Sequence, residues 1–97
     1  MPDRKDKNTT ILVMFEATGT SSSKYDQVIR RLTETGLRVP DGEMYHVAYG
    51  DRQRLQVIDV FESQAKLDAF GAKLMPILKE IGIEVKPTIL EVYNIIE

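Results

Sequence analysis

Two residue types that can exchange protons lie in neighbouring predicted strands. His46 is the only histidine of the chain, and it stands between Tyr45 and Val47 in an apolar stretch. Asp59 is the one charged residue well inside the stretch 55–62. A carboxylate that contacts an imidazole can hold the ring in place as a general base. The pair therefore predicts a catalytic site in which His46 is the base and Asp59 orients it.

This hypothesis depends on how the two strands pair. The short polar segment 50–54 is typical of a hairpin loop, and one register of the hairpin sets His46 opposite Asp59. A shift of one residue would place the two side chains on opposite faces of the sheet. A structural polar pair at the sheet edge is the alternative interpretation of the same two residues.

Hydrophobic periodicity predicts the elements that carry this pair. Strands are expected at 10–16, 44–49, 55–62 and 88–96, because these stretches are rich in β-branched and large apolar residues. Helical spacing of apolar residues predicts two helices, one after the serines 21–23 and one after Ser63, which can cap them. Gly36 and Gly82 are expected to end these helices, and Pro76 to kink or break the second one.

The two halves of the chain echo each other at a spacing of 46 residues. The matching positions are Phe15-Glu16 with Phe61-Glu62, and Leu32, Glu34, Gly36, Leu37 and Val39 with Leu78, Glu80, Gly82, Ile83 and Val85. Two similar β-α-β halves are what a ferredoxin-like fold contains. The sequence therefore predicts an α+β domain with the order β-α-β-β-α-β and a four-stranded antiparallel sheet of strand order 4-1-3-2.

The predicted strands are apolar on both faces, although two helices can cover only one face of this sheet. An antiparallel sheet with one wet face should alternate apolar and polar residues. We expect the helices to cover the face that carries Ile11, Val13, Phe15, Val57 and Phe61. The other face, with Leu12, Met14, Ile58 and Val60, then predicts a homodimer that buries it against a second copy.

Size and composition limit the function. The 97 residues suffice for one domain, expected at 10–97 after a disordered polar tail at 1–9. A net charge of −2 argues against nucleic acid, and no apolar run is long enough for a membrane span. The lack of cysteine fits a cytoplasmic protein. One histidine without cysteine makes a zinc site unexpected, so we expect neither a metal nor a cofactor.

Three motifs resemble a known group of proteins. The first motif is Tyr45-His46-Val47-Ala48, the second is Val57 to Ser63 (VIDVFES), and the third is a helix with the pattern Ala-x-x-x-x-Phe that also contains Leu74-Met75-Pro76. Together they are similar to small antibiotic-biosynthesis-monooxygenase-like proteins of the dimeric α+β barrel superfamily. The resemblance spans nearly the whole chain from Thr10. It implies a dimer with a pocket between sheet and helices in each subunit. Phe61 stands where these relatives have tryptophan. Many of them also carry a histidine on the second helix, and its absence here argues against haem ligation.

The resulting hypotheses fall into three classes. The first is a cofactor-independent, monooxygenase-like enzyme whose apolar pocket binds a small aromatic ligand. The second is a non-catalytic ligand-binding or accessory homodimer, and the third is a structural domain whose pocket has no role. For the first two, the residues expected to contact the ligand are Tyr25, Tyr45, Phe61 and Asn94.

Overall fold

A computed structural model describes residues 9–96 of the chain. The elements follow the order β1 (Ile11–Thr18), α1 (Ser22–Glu34), β2 (Glu43–Asp51), β3 (Arg54–Phe61), α2 (Gln64–Ile81) and β4 (Glu84–Glu91). The four strands form one antiparallel sheet in the order β2-β3-β1-β4. This is the predicted 4-1-3-2 order read from the other edge, so the predicted fold is confirmed. Residues 1–8 of the predicted tail 1–9 lie outside the described residues.

Both helices begin and end at the predicted residues. The side chains of Ser21 and Ser63 accept hydrogen bonds from the backbone N–H groups three residues later, which satisfies donors left free at a helix start. Gly36 and Gly82 adopt φ of 76° and 93°. The left-handed turn at Gly82 lets the next N–H, that of Ile83, bond back to the carbonyl of Leu78.

Two prolines lie inside regular elements. Pro76 lies inside α2, which runs to Ile81, so the break that was the second of the two expected effects does not occur. The fourth strand is predicted to start at residue 88, yet Pro87 lies inside β4, opposite Phe15. β4 is an edge strand with β1 on one side only, and an edge position tolerates a residue that lacks an N–H. The fourth strand therefore begins at Glu84, four residues before the predicted start, and ends at Glu91.

The helices cover the predicted face of the sheet. The buried core joins the inward residues of the strands to the apolar stripes of α1 and α2, and its members include Ile11, Val13, Phe15, Phe61, Val28, Leu32, Phe70 and Leu78. Phe61 and Val13 are fully buried. On the opposite face, apolar side chains of β2 and β4 are exposed to solvent, with Val47 51% and Leu90 50% exposed. This second face has no cover from within residues 9–96.

No helix in the described part of the chain combines the length and the apolar character that crossing a bilayer requires.

Candidate functional site

His46 and Asp59 pair across β2 and β3, as the predicted register requires. Asp59 also lies opposite Val13 of the central strand, so its carboxylate points to the helix-covered face and its side chain is only 3% exposed. The Nδ1 atom of His46 lies 2.6 Å from Oδ1 of Asp59. Because a carboxylate can only accept a hydrogen bond, Nδ1 must carry the proton of this contact.

Tyr25 completes a chain of three groups. It lies in the first turn of α1, and its hydroxyl is 2.6 Å from Nε2 of His46. The two rings stack at 6.0 Å between centroids and 19° between planes. When His46 is neutral with its proton on Nδ1, Nε2 accepts from the Tyr25 hydroxyl. The phenol, imidazole and carboxylate thus form a continuous path for a proton.

Glu43 is a fourth member that the sequence did not indicate. A regular strand would send residues three apart to opposite faces, yet Glu43 and His46 share the helix-covered face. A β-bulge between Glu43 and Tyr45 inserts the extra residue Met44 and restores the common side. The carboxyl groups of Glu43 and Asp59 come within reach of a shared hydrogen bond.

The environment shifts the pKa values of this cluster. Burial, followed by the charge of Asp59, raises the pKa of Glu43 to about 7. The hydrogen bond to Asp59 is the main cause that raises the pKa of His46 above its usual value, against the opposing effect of burial. Burial and nearby carboxylates, Asp59 first among them, raise the pKa of Tyr25, whereas the charge of Arg38 lowers it. The cluster therefore holds exchangeable protons near neutral pH.

The cluster lies in the wall of a cavity of about 80 Å³ between the sheet and the two helices. Most of the remaining wall is apolar, from Phe15, Ala17, Val28, Ile29, Leu32, Val57, Phe70, Leu74, Leu78, Ile83 and Val85. Two further polar residues line it, Arg38 and Thr20. The hydroxyl of Thr20 is buried and has no hydrogen-bond partner within residues 9–96. The character of this wall suits a small apolar ligand with one polar edge, and because ligand pockets usually hold about 300–1,000 Å³, the cavity would have to widen to admit an aromatic ring.

Three of the six expected site residues meet here. His46, Asp59 and Tyr25 contact one another and line the cavity. Tyr45 pairs with Val60 and points to the opposite face, whereas Phe61 is buried in the core against Phe70. Asn94 lies exposed beyond the end of β4. None of these last three belongs to the cavity wall, and their part in ligand binding stays a prediction from sequence.

Glu43, His46 and Asp59 could also offer ligand atoms to a metal ion, since those atoms lie within 4.8 Å of one another. Both ring nitrogens of His46 are already engaged, by Tyr25 and by Asp59. A cation would have to displace one of these bonds. The arrangement favours shared protons over a bound metal.

Comparison with known proteins places the fold. No protein-family model matches the chain, and no curated protein matches it. Among solved structures, SnoaB, a cofactor-independent oxygenase from Streptomyces nogalater, aligns at a TM-score of 0.59 and 14% identity, over 93% of this chain and 97% of SnoaB. A Nitrosomonas europaea protein with the provisional name antibiotic biosynthesis monooxygenase aligns at 0.61 and 13% identity, over 91% and 93% of the two chains.

The likeness extends to an artificial protein. A de novo designed protein, Foldit4, aligns at a TM-score of 0.59 and 12% identity, over 84% of this chain and 96% of the design. The expected resemblance to monooxygenase-like proteins is therefore confirmed for the fold. Because a designed chain scores as well as an oxygenase, the activity has to be argued from the site.

Proposed function

We propose that the chain binds a small aromatic molecule in the cavity and removes a weakly acidic proton from it, so that the resulting anion can react with molecular oxygen without a cofactor. The observation that carries this proposal is the continuous path from Tyr25 through His46 to Asp59 at the edge of an otherwise apolar cavity. The oxygenase fold of SnoaB agrees with it.

The proton would move in one concerted step. The substrate gives its proton to the oxygen of Tyr25 while the Tyr25 hydroxyl passes its own proton to Nε2 of His46. The imidazolium that forms keeps its Nδ1–H bond to the buried carboxylate of Asp59, which stabilises the positive charge. An apolar wall strengthens this attraction, because charges interact more strongly where water is excluded.

A suitable substrate is a ring ketone that has a methylene group beside the aromatic ring, because O₂ can then oxidise this methylene group to a carbonyl with water as the second product. Loss of one proton leaves a carbanion, and its carbon bonds to O₂ after electron transfer. The imidazolium returns the proton to give a hydroperoxide. Loss of water from the hydroperoxide converts the methylene carbon into a carbonyl, with the second oxygen atom leaving in the water. The protein needs only to supply the base, the cavity and access for oxygen.

The direct test is oxygen uptake with bicyclic aromatic ketones such as 2-indanone. The native chain should consume oxygen and form the dione, and His46→Gln should lower the rate at least about 100-fold, the usual loss when a general base is removed. An equal rate in His46→Gln would contradict the proposal. Lys86→Gln, an exposed change on β4, is the matched control and should leave the rate unchanged.

A non-catalytic ligand-binding function is the second candidate, and one observation favours it. The Tyr25 hydroxyl already occupies Nε2 of His46, so no free lone pair of the imidazole faces the cavity. A binding protein needs only the apolar wall and the hydroxyl. Ligand binding without oxygen uptake, and without loss of affinity in His46→Gln, would support this function over the enzyme.

We also propose a cytoplasmic homodimer that pairs the uncovered sheet faces. Support comes from Tyr45, Val47, Tyr49 and Leu90, which are apolar or aromatic and 39–51% exposed on that face. A contiguous apolar patch of this kind is unusual on a soluble monomer. The cytoplasmic location rests on the absence of cysteine alone and stays a prediction.

A further inference from the structure

Arg38 is a cationic residue at the cavity that the proton path does not use. It lies in the loop between α1 and β2, reaches solvent, and lines the cavity beside Tyr25, Glu43 and His46. Within residues 9–96 its guanidinium forms no ion pair, whereas Arg31 and Lys66 each pair with a carboxylate. An unpaired guanidinium at the edge of an apolar cavity is free to receive an anion.

Arg38 lies close to the place where a negative charge would form on the substrate. Its positive charge acts on the phenol oxygen of Tyr25, the group that would receive the substrate proton. The other charged or titratable groups around that oxygen are Asp26 on α1, Glu43 and His46 on β2, and Asp59 on β3. The three carboxyl groups all disfavour a further negative charge near the Tyr25 oxygen. Of the cavity residues, Arg38 alone carries a permanent positive charge to oppose them.

We propose that Arg38 binds the oxyanion formed when the substrate loses its proton, which makes the substrate a ring enol, phenol or ketone whose anion carries charge on oxygen. This inference rests on the proposed function and names its substrate class. A guanidinium offers several N–H donors in one plane and stays charged at every working pH, so it suits an enolate or phenolate oxygen. The carboxylates near Tyr25 would repel that oxygen without this cation.

Binding of 4-nitrophenol tests the role directly, because its phenolate absorbs visible light and its neutral form does not. We expect Arg38→Gln to weaken binding of the phenolate about tenfold and to raise the pKa of the bound phenol by about one unit, which corresponds to the same change in free energy. Binding of 4-nitroanisole, the neutral methyl ether of the same ring, should not change. Arg30→Gln, an exposed change on α1 outside the cavity wall, is the control.

The possible outcomes distinguish failure of the Arg38 role from failure of the proposed function. Equal loss of affinity for the phenol and the ether would show that Arg38 only packs against the ring, and would overturn the oxyanion role. Unchanged affinity for both in Arg38→Gln would overturn it too, while leaving the cavity as the binding site. If neither compound binds the native chain, or if both still bind after Val57→Trp fills the cavity, the proposed function fails and this inference fails with it.

Discussion

The Nδ1 atom of His46 lies 2.6 Å from Oδ1 of Asp59, across the hairpin that joins β2 to β3. The Asp59 side chain is nearly inaccessible to solvent, whereas that of His46 is 31% exposed. The carboxylate is thus fixed by its surroundings, and the imidazole reaches from it towards the cavity. In the neutral imidazole the proton is therefore on Nδ1, which donates to Asp59, and Nε2 accepts from the Tyr25 hydroxyl.

Asp59→Asn should lower the pKa of His46, because the hydrogen bond to Asp59 is the largest of the causes that raise it. The amide keeps the size of the side chain but removes its charge. We also expect a loss of about 1–3 kcal/mol in the free energy of unfolding, as for other buried hydrogen bonds to charged groups. A proton NMR titration of the imidazole measures the pKa. An unchanged titration would show that the pair has no electrostatic role, and Asp68→Asn on the surface of α2 is the control.

Glu43→Gln should stabilise the protein at high pH and not at low pH. The folded pKa of Glu43, about 7, is above the ordinary value of 4.5. Because its pKa is raised on folding, Glu43 contributes to the free energy of unfolding fully below about pH 4.5, and this contribution is lost as the pH rises through about 7. Glutamine resembles the protonated acid at every pH, so the variant should gain on the order of 1 kcal/mol at pH 8, after allowance for solvent screening.

Chemical unfolding of the native chain and of Glu43→Gln at pH 4 and pH 8 measures this difference. Other acids that titrate in this pH range affect the native chain and the variant equally, so their effects cancel in the difference. A gain that is equal at both pH values, or a loss at pH 8, would mean that Glu43 is not held near Asp59 as described. Glu84→Gln, exposed at the start of β4, should show no such dependence on pH.

Thr20→Val should stabilise the protein by about 1 kcal/mol. The hydroxyl of Thr20 is buried without a hydrogen-bond partner in the described residues, and burying such a group costs free energy. Valine has the same shape and lacks the hydroxyl. Thermal or chemical unfolding gives the value, and a loss of stability would reveal an ordered water or a ligand that satisfies the hydroxyl. Thr33→Val is the control: the Thr33 hydroxyl donates a hydrogen bond to the carbonyl of Ile29, so its removal should not stabilise the protein.

Val47→Lys should convert a dimer into a monomer. Val47 is 51% exposed on the uncovered sheet face, halfway along the edge strand β2, and burying a lysine between two copies leaves a charge without water. Val39→Lys is the matched control, because Val39 is 73% exposed in the loop after α1 and away from the sheet. Sedimentation velocity gives the mass of each variant. A native chain that sediments as a monomer would refute the dimer itself.

The sequence predicted the fold and named the two residues at the centre of the site, while it left their strand register open. Stretches rich in β-branched and large apolar residues, the serine caps and the glycine stops each predicted a local feature that the structure confirms. The register that sets His46 opposite Asp59 was one of those the sequence allowed, and the structure has it, with a loop of only Arg52 and Gln53 between the strands. These features depend on neighbours close in sequence, which is why local patterns could predict them.

The residues that were missed depend on irregular backbone. Glu43 joins the cluster through a bulge that no pattern announced. Arg38 and Thr20 lie in loops, where periodicity gives no direction for a side chain. Tyr45 and Asn94 were chosen by residue type, and the sheet places the first on the opposite face and the second beyond β4. Pro87 was misread because the sequence does not say which strand is at the edge.

Exchange of substrate protons for deuterium, measured by NMR in D₂O without oxygen, tests the central claim most directly, since it records proton removal apart from oxidation. With the ketone that gives the fastest oxygen uptake, the native chain should exchange the methylene protons well above the buffer rate. Tyr25→Phe and His46→Gln should both reduce that exchange towards the buffer rate, because each interrupts the path to Asp59. Exchange at the native rate in His46→Gln would contradict the account.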